Sequence, residues 1–291
     1  MKVNSRLDLN QERYLYLLEL ELTPQVLDSF KGVRFVMMQG SNTRAKEFAK
    51  KLARQFLGIN PKYFEPKDIA PTSRYQVFRV GNVLSVSHGM GNPSIFTLLH
   101  EITKALYFAG STEVEYIRIG TSGGIGVKPG TVIITEKAYT PDLKPYIELP
   151  SLDKNIHVPT IFDLNLAKRV HDMQPRGLPF EVLLGNSIAA DDFYLGQGRF
   201  DGAIVPQKDL AFRTNYFKEV RDLGIRNFEM ESTAMAAFCH EVSIPSTMIA
   251  VTLINRLDGD QISSTPLELA EYSDHSQTVA IHYLKNCNNV F

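Results

Sequence analysis

Val33-Arg34-Phe35-Val36-Met37-Met38-Gln39-Gly40-Ser41-Asn42-Thr43-Arg44 decides the fold class. Val33 to Met38 is a short apolar, β-rich run of the kind a buried strand presents, and it breaks at Gly40. Ala45, Phe48, Ala49, Leu52 and Phe56 then recur at helical spacing. A strand, a glycine turn and an amphipathic helix in that order form the repeating block of α/β folds. Tyr75–Val80 and Val83–Val86 read as a hairpin about Gly81-Asn82. Gly89-Met90-Gly91-Asn92-Pro93-Ser94 opens a helix with Pro93 in its first turn and Ile95, Leu98, Leu99, Ile102 and Leu106 on its inner face. Further along, Val114–Ile119, Thr131–Thr135, Phe180–Leu184, Ile225–Met230 and Ser246–Asn255 read as strands. Helices are expected over Asp163–Met173, Ser232–Val242 and Pro266–Lys285, and a long surface loop from Thr140 to about Leu164. The alternation predicts one α/β domain over 1–291, a three-layer α/β/α sandwich around a central mixed, mostly parallel sheet.

Bulk properties narrow the function. The chain has 291 residues, 31 Lys and Arg against 32 Asp and Glu, and a net charge of −1. No basic excess points to nucleic acid, and no apolar run is long enough to span a bilayer. The opening MKVNSRLDLNQERY lacks the apolar core of a signal peptide. Cys239 and Cys287 lie far apart without metal or redox spacing, and the 7 histidines show no HExxH pattern. The expectation is a cytoplasmic protein with neither metal nor cofactor.

Polar and glycine clusters fall at the predicted strand ends, where α/β sheets bind ligands. Gly40-Ser41-Asn42-Thr43-Arg44 offers backbone N–H groups and a guanidinium to an anion. An ordinary capped helix start with Arg44 on its solvent face fits the same residues. In Arg118-Ile119-Gly120-Thr121-Ser122-Gly123-Gly124, Arg118 lies in an apolar strand, where an unpaired charge is costly to bury. Its partner is either an anionic ligand or a structural carboxylate, and the local sequence does not separate them. Glu229-Met230-Glu231-Ser232 puts carboxylates at a helix start, as dipole compensation or to grip vicinal hydroxyls over Met230. Phe193-Tyr194-Leu195-Gly196-Gln197-Gly198-Arg199 sets an amide two residues from a guanidinium behind an aromatic face. That equipment matches a planar heterocycle with two carbonyls and an N–H, and a surface turn with a structural arginine fits too.

Taken together these segments carry a resemblance. Gly40-Ser41-Asn42-Thr43-Arg44, Ser87-His88-Gly89-Met90-Gly91-Asn92-Pro93-Ser94, Arg118 to Gly124, Pro129-Gly130-Thr131-Val132, Asp192 to Arg199, Asn227 to Ser232, and Asn255-Arg256 with Gly259-Asp260-Gln261 occur in one order across most of the chain. In that order they resemble the nucleoside phosphorylases of the uridine phosphorylase type, the animal members above all. The resemblance implies reversible cleavage of uridine by inorganic phosphate to uracil and ribose 1-phosphate, with no cofactor. It implies a phosphate site at Gly40, Arg44, Arg118 and Thr121, completed by Arg74 from the other subunit of a homodimer. It implies ribose contacts at Thr121, Met230 and Glu231, and base contacts at Phe193, Gln197, Arg199, Leu253, Ile254 and Arg256, the last as a lid. Arg118, Gln197, Arg199 and Glu231 are the expected catalytic residues. Asn255, where purine-specific relatives carry aspartate, speaks for pyrimidines.

One departure concerns the sugar. The family lends a histidine from near the N-terminus of the neighbouring subunit to the 5′-hydroxyl. Here Leu15-Tyr16-Leu17-Leu18-Glu19-Leu20 matches that region with an apolar residue in its place, which leaves ribose against deoxyribose open. The rival readings are phosphorolysis of another nucleoside, a hydrolytic nucleosidase, whose site would lack the arginines, and a non-catalytic nucleoside-binding protein.

Overall fold

A computed structural model describes residues 1–287. Strands β1 (Tyr14–Leu15) and β2 (Leu20–Glu21) pair before helix α1 (Pro24–Asp28). There follow β3 (Phe35–Gln39), α2 (Asn42–Leu57), β4 (Val77–Val80), β5 (Val83–Ser87), α3 (Asn92–Phe108), β6 (Glu115–Gly124) and β7 (Val132–Tyr139). A separate hairpin, β8 (Tyr146–Ser151) and β9 (Lys154–Pro159), precedes α4 (Leu164–Asp172) and β10 (Val182–Ala189). A single 3₁₀ turn, Leu195–Gln197, leads to α5 (Leu210–Asp222), β11 (Ile225–Glu229), α6 (Ser232–Glu241), β12 (Ser246–Asn255) and α7 (Pro266–Asn286).

The main sheet has 8 strands in the order β11-β10-β7-β12-β6-β3-β5-β4. It is mixed and mostly parallel, with β4–β5 and β7–β12 antiparallel. Side chains alternate between its faces as the two-residue strand period requires. Val36 and Met38 of β3, Tyr116 of β6 and Met248 and Ala250 of β12 share one core with α3 and α6. Phe35, Met37, Ile117, Ile119, Ile249 and Val251 share the other with α2, α4 and α7. This is an α/β sandwich, and a third, smaller core of Ile125, Ile188, Phe217, Val220, Ile225 and Phe228 sits under α5.

The sheet also closes on itself. β11 pairs antiparallel with the end of β6, Asn227 opposite Gly124 and Phe228 opposite Gly123, so β11, β10, β7, β12 and β6 form a ring. A buried polar chain fixes the closure. Thr135 meets Ser187 at 2.8 Å, Ser187 donates to Asn227 at 2.6 Å, and Asn227 donates to Ser122 at 3.0 Å. Every member is satisfied, which is the condition under which buried polar groups hold one register. The closure brings Glu229 and the start of α6 against the glycines of β6.

Two sequence expectations are corrected. The stretch from Thr140 to Leu164 is not a plain loop: it contains the β8–β9 hairpin, whose residues are mostly exposed and give no alternating pattern. Helix α5 lies where no element is expected, because it buries only Phe217 and Val220. No helix among the described residues is long and apolar enough to cross a membrane.

Candidate active site

The C-terminal ends of β3, β6, β11 and β12 surround a cavity of about 400 Å³. Gly40, Arg44, Arg118, Thr121, Phe193, Gln197, Arg199, Met230, Glu231, Leu253, Ile254 and Arg256 all line it. A larger groove of about 510 Å³ runs beside α5, but it shares only Arg256 with this set. The chemistry gathers in the smaller cavity.

At one end stands Arg118, only 4% exposed. The strand alternation aims it at the α3/α6 side, toward the start of α6. Its Nη1 lies 3.2 Å from Glu229 Oε2, and its Nη2 bonds Glu231 Oε2. Nη1 also contacts Met248 Sδ at 2.9 Å. Gly120 leaves room for this: a Cβ there would stand 2.6 Å from Arg118 Nη1. Of the two partners the sequence left open for Arg118, the structural carboxylate is therefore present. Glu229, which the sequence reading gave no role in the site, accepts the N–H groups of Glu231 and Ser232 at 2.9 and 3.0 Å. Burial raises its pKa against the pull of Arg118. Glu231 accepts the Gly91 N–H at 2.6 Å. Burial pushes its pKa up, but Arg118, His88 and backbone N–H groups outweigh that and hold it below the usual range.

Arg44 stands in the first turn of α2, whose N-cap is Ser41. It forms no ion pair among the described residues. Burial, with Arg118 beside it, weakens its hold on its proton. A desolvated guanidinium next to a second one and without a carboxylate of its own is an anion seat. His88 lies close enough for both charges to act on it.

At the other end, Phe193 stacks on Arg199, whose Cζ lies 4.6 Å from the ring centre. Arg199 is held by a bidentate pair to Asp201 at 2.9 and 2.6 Å and by the Asp260 carbonyl at 3.1 Å. Asp201 raises its pKa further, so it is fixed and always charged. Gln197 is buried, its carbonyl taking Arg256 Nη2 at 3.1 Å, while its amide oxygen accepts no hydrogen bond among the described residues. Leu253, Ile254 and Ile262 form an apolar wall; the sequence reading did not include Ile262.

Arg256 is buried and ion-paired in this structure. It is 2% exposed, and its Nε bonds Asp260 at 3.0 Å. It lies between the rings of Phe217 and Phe228, and Gly123 makes way for its stem. Asp260 also holds Arg213 at 2.7 Å and the Phe200 N–H at 3.1 Å. Asp201 and Asp260 thus orient this end of the cavity, and of the two only Asp260 lies in a segment quoted above. Asn255 does not line the cavity. Its oxygen accepts the Gly126 and Leu257 N–H groups and its nitrogen donates to Asp258, so it does not read a base directly. Arg74 is exposed, outside this cavity, on a loop pinned by Asn42 Nδ2 to the Ser73 carbonyl at 2.9 Å. At the N-terminal hairpin, Glu101 accepts the N–H groups of Leu17 and Leu18, and neither residue lines the cavity.

Residues 34–285 match the model of the phosphorylase superfamily. The chain belongs to that superfamily. It is 39% identical over 258 residues to uridine phosphorylase 1 of Mus musculus, covering 88% of this chain and 82% of that one. The structure of a uridine phosphorylase from the oomycete Phytophthora capsici superposes with a TM-score of 0.90 at 37% identity, over 98% of this chain and 97% of the other. Inactive uridine phosphorylase B of Schistosoma mansoni is 34% identical over 268 residues, 90% of this chain and 88% of that one. Membership of the superfamily therefore does not by itself fix activity, and the residues in the cavity have to carry that part of the case.

Proposed function

We propose that the chain is a uridine phosphorylase, a pentosyltransferase of pyrimidine salvage that converts uridine and phosphate to uracil and ribose 1-phosphate. Deoxyuridine and thymidine belong to the same substrate class. The observation that carries this reading is one cavity with opposite demands at its ends. Arg44, without an ion pair among the described residues, and Arg118 form a cationic end, and Gln197 with Arg199 forms a donor–acceptor edge over Phe193.

Cleaving the glycosidic bond leaves positive charge on the sugar and negative charge on the departing base. Phosphate held at Gly40, Arg44, Arg118 and Thr121 is an oriented nucleophile beneath the anomeric carbon, which removes much of the entropic barrier. Glu231, with Thr121 and Met230, holds the ribose hydroxyls, and its charge favours the cationic sugar. Gln197 and the fixed Arg199 meet the uracil edge as negative charge develops there, a class of contact worth about 10²–10³ in rate. Leu253 and Ile254 wall the ring, and Arg256 keeps the Gln197 backbone in place. Attack opposite the base inverts the β-nucleoside to the α-1-phosphate.

The whole chain acts as one domain, and as a homodimer in which Arg74 reaches the partner's phosphate site. Its exposure, its pinned loop and its lack of an ion pair among the described residues support that role. Free Cys239 and Cys287 suit the reducing cytoplasm. The full set of Arg44, Arg118, Gln197, Arg199 and Glu231 in one cavity favours a working enzyme over a non-catalytic binder. A panel of uridine, thymidine, cytidine and inosine with phosphate tests the base assignment: uridine should be cleaved and inosine left intact, and preferential cleavage of inosine overturns it. Mixing Arg74→Ala with Glu231→Gln subunits tests the dimer. Activity returns if sites are shared, and no recovery despite demonstrated exchange removes the cross-subunit role.

A further inference from the structure

His88 follows β5 and is wholly buried. Its backbone is clamped, the N–H donating to the Gln39 carbonyl at 2.8 Å and the carbonyl accepting from Ser94 Oγ at 2.6 Å. Its ring is not: neither Nδ1 nor Nε2 has a hydrogen-bond partner among the described residues. The Gly89 carbonyl is near enough to influence the ring but does not close a bond to it. Buried polar groups without partners are rare and costly, so this one calls for an explanation.

The ring stands just behind the cavity wall. Gly40 and Gly89 both line the cavity, and a Cβ on Gly40 would lie 3.8 Å from His88 Cε1. The charges of Arg118, Arg44 and Glu231 all act on the imidazole. Glu231 accepts the Gly91 N–H and Arg118 and closes no hydrogen bond to the ring among the described residues. Glu229 is likewise engaged by Ser232 and the Glu231 N–H. Arg118 Nε is also buried without an acceptor among the described residues. Among the described residues the donors without partners at this end are thus Arg44, Arg118 Nε and the His88 ring, and a tetrahedral oxyanion offers enough acceptors for them all.

We propose that His88 is a further phosphate-binding residue, a neutral imidazole whose N–H donates to the phosphate seated between Arg44 and Arg118. The inference rests on reading that end as the phosphate site. Burial first, then the two guanidinium groups, lower the pKa of His88 to about 3, so the ring is uncharged at neutral pH. An uncharged donor adds a hydrogen bond without adding a third like charge to the seat.

The test compares wild type with His88→Phe, which keeps a ring and removes the donor, and His88→Asn, which keeps a donor. The KM for phosphate should rise roughly ten- to hundredfold in His88→Phe, as expected for a lost bond to a charged group. The KM for uridine should stay unchanged, and His88→Asn should recover part of the loss. In wild-type protein with ¹⁵N-labelled histidine, inorganic phosphate alone should shift the His88 ring signals. A normal phosphate KM in a folded His88→Phe enzyme overturns the assignment, as do unchanged ring signals at saturating phosphate. The two failures are separable: if wild type releases uracil without phosphate, the phosphate reading itself falls, whereas a phosphate-dependent wild type with a normal His88→Phe removes His88 alone.

Discussion

Gly120→Ala isolates the positioning of Arg118 from its presence. The added Cβ would stand 2.6 Å from Arg118 Nη1, 2.9 Å from Cζ and 3.1 Å from Nη2. Carbon contacts settle at about 3.5 Å or more, so the guanidinium must retreat by roughly 0.9 Å. It has little freedom to do so quietly, since Glu229, Glu231 and Met248 hold its nitrogens. Gly120 is not among the residues with positive φ, so alanine suits its backbone and the fold should survive with about 1–3 kcal/mol of overpacking cost. A displacement near 1 Å at a reacting group costs about 10²-fold. Uracil release followed by absorbance, with phosphate varied, should therefore show kcat/KM for phosphate down about a hundredfold in a protein that still melts cooperatively. Activity close to wild type, or a loss confined to uridine binding with phosphate affinity intact, would refute the role given to Arg118.

Gln197→Leu should leave phosphate binding intact, measured by calorimetry, and reduce uridine cleavage by about 10²–10³-fold; near-normal turnover removes Gln197 from the base site. Asp260→Ala strands Arg213 and Arg256 and should cost about 3–5 kcal/mol in urea unfolding, with the KM for uridine raised in whatever fraction stays folded. For His88 the linkage sign is set by a folded pKa of about 3 below an unfolded value of about 6.5. The unfolded state binds the extra proton, so stability falls as pH drops from about 6.5 toward 3, by up to about 1.4 kcal/mol per pH unit. Between pH 6.5 and 5 the wild type should lose about 1.6 kcal/mol more than His88→Asn in parallel urea titrations; equal slopes contradict a buried neutral imidazole.

Local pattern made much of the fold legible. Ser246–Asn255 reads as a buried strand and is one over the same residues, because a long apolar run with polar ends has few other uses. The helix beginning after Asp163 is marked by its cap, and Asp163 does accept the Leu166 N–H. Helix α5 and the β8–β9 hairpin escape because they lie mostly at the surface, where burial imposes no period. The ring closure is invisible in principle to a local reading: it depends on Asn227 and Phe228 meeting Gly124 and Gly123 across more than a hundred residues of chain.

The site divides in the same way. Glycine and charged residues at strand ends announce Arg44, Arg118, Gln197, Arg199 and Glu231, and all five meet in one cavity. What holds them does not announce itself. Glu229 reads as a second dipole-compensating acid, and Asp201 and Asp260 as loop acids, until their partners are seen. Arg256 and Asn255 are neighbours in sequence, yet one is turned inward to the cavity and the other outward to the Gly126 loop. Side-chain direction at the frayed end of a strand depends on packing, and sequence position alone does not supply it.

The most direct test of the central claim is uracil formation from uridine by the purified protein, with and without inorganic phosphate, and with ribose 1-phosphate quantified alongside. The account predicts uracil only when phosphate is present, matched mole for mole by ribose 1-phosphate. Uracil released at an equal rate without phosphate, with free ribose as the co-product, or no uracil under either condition, would contradict it.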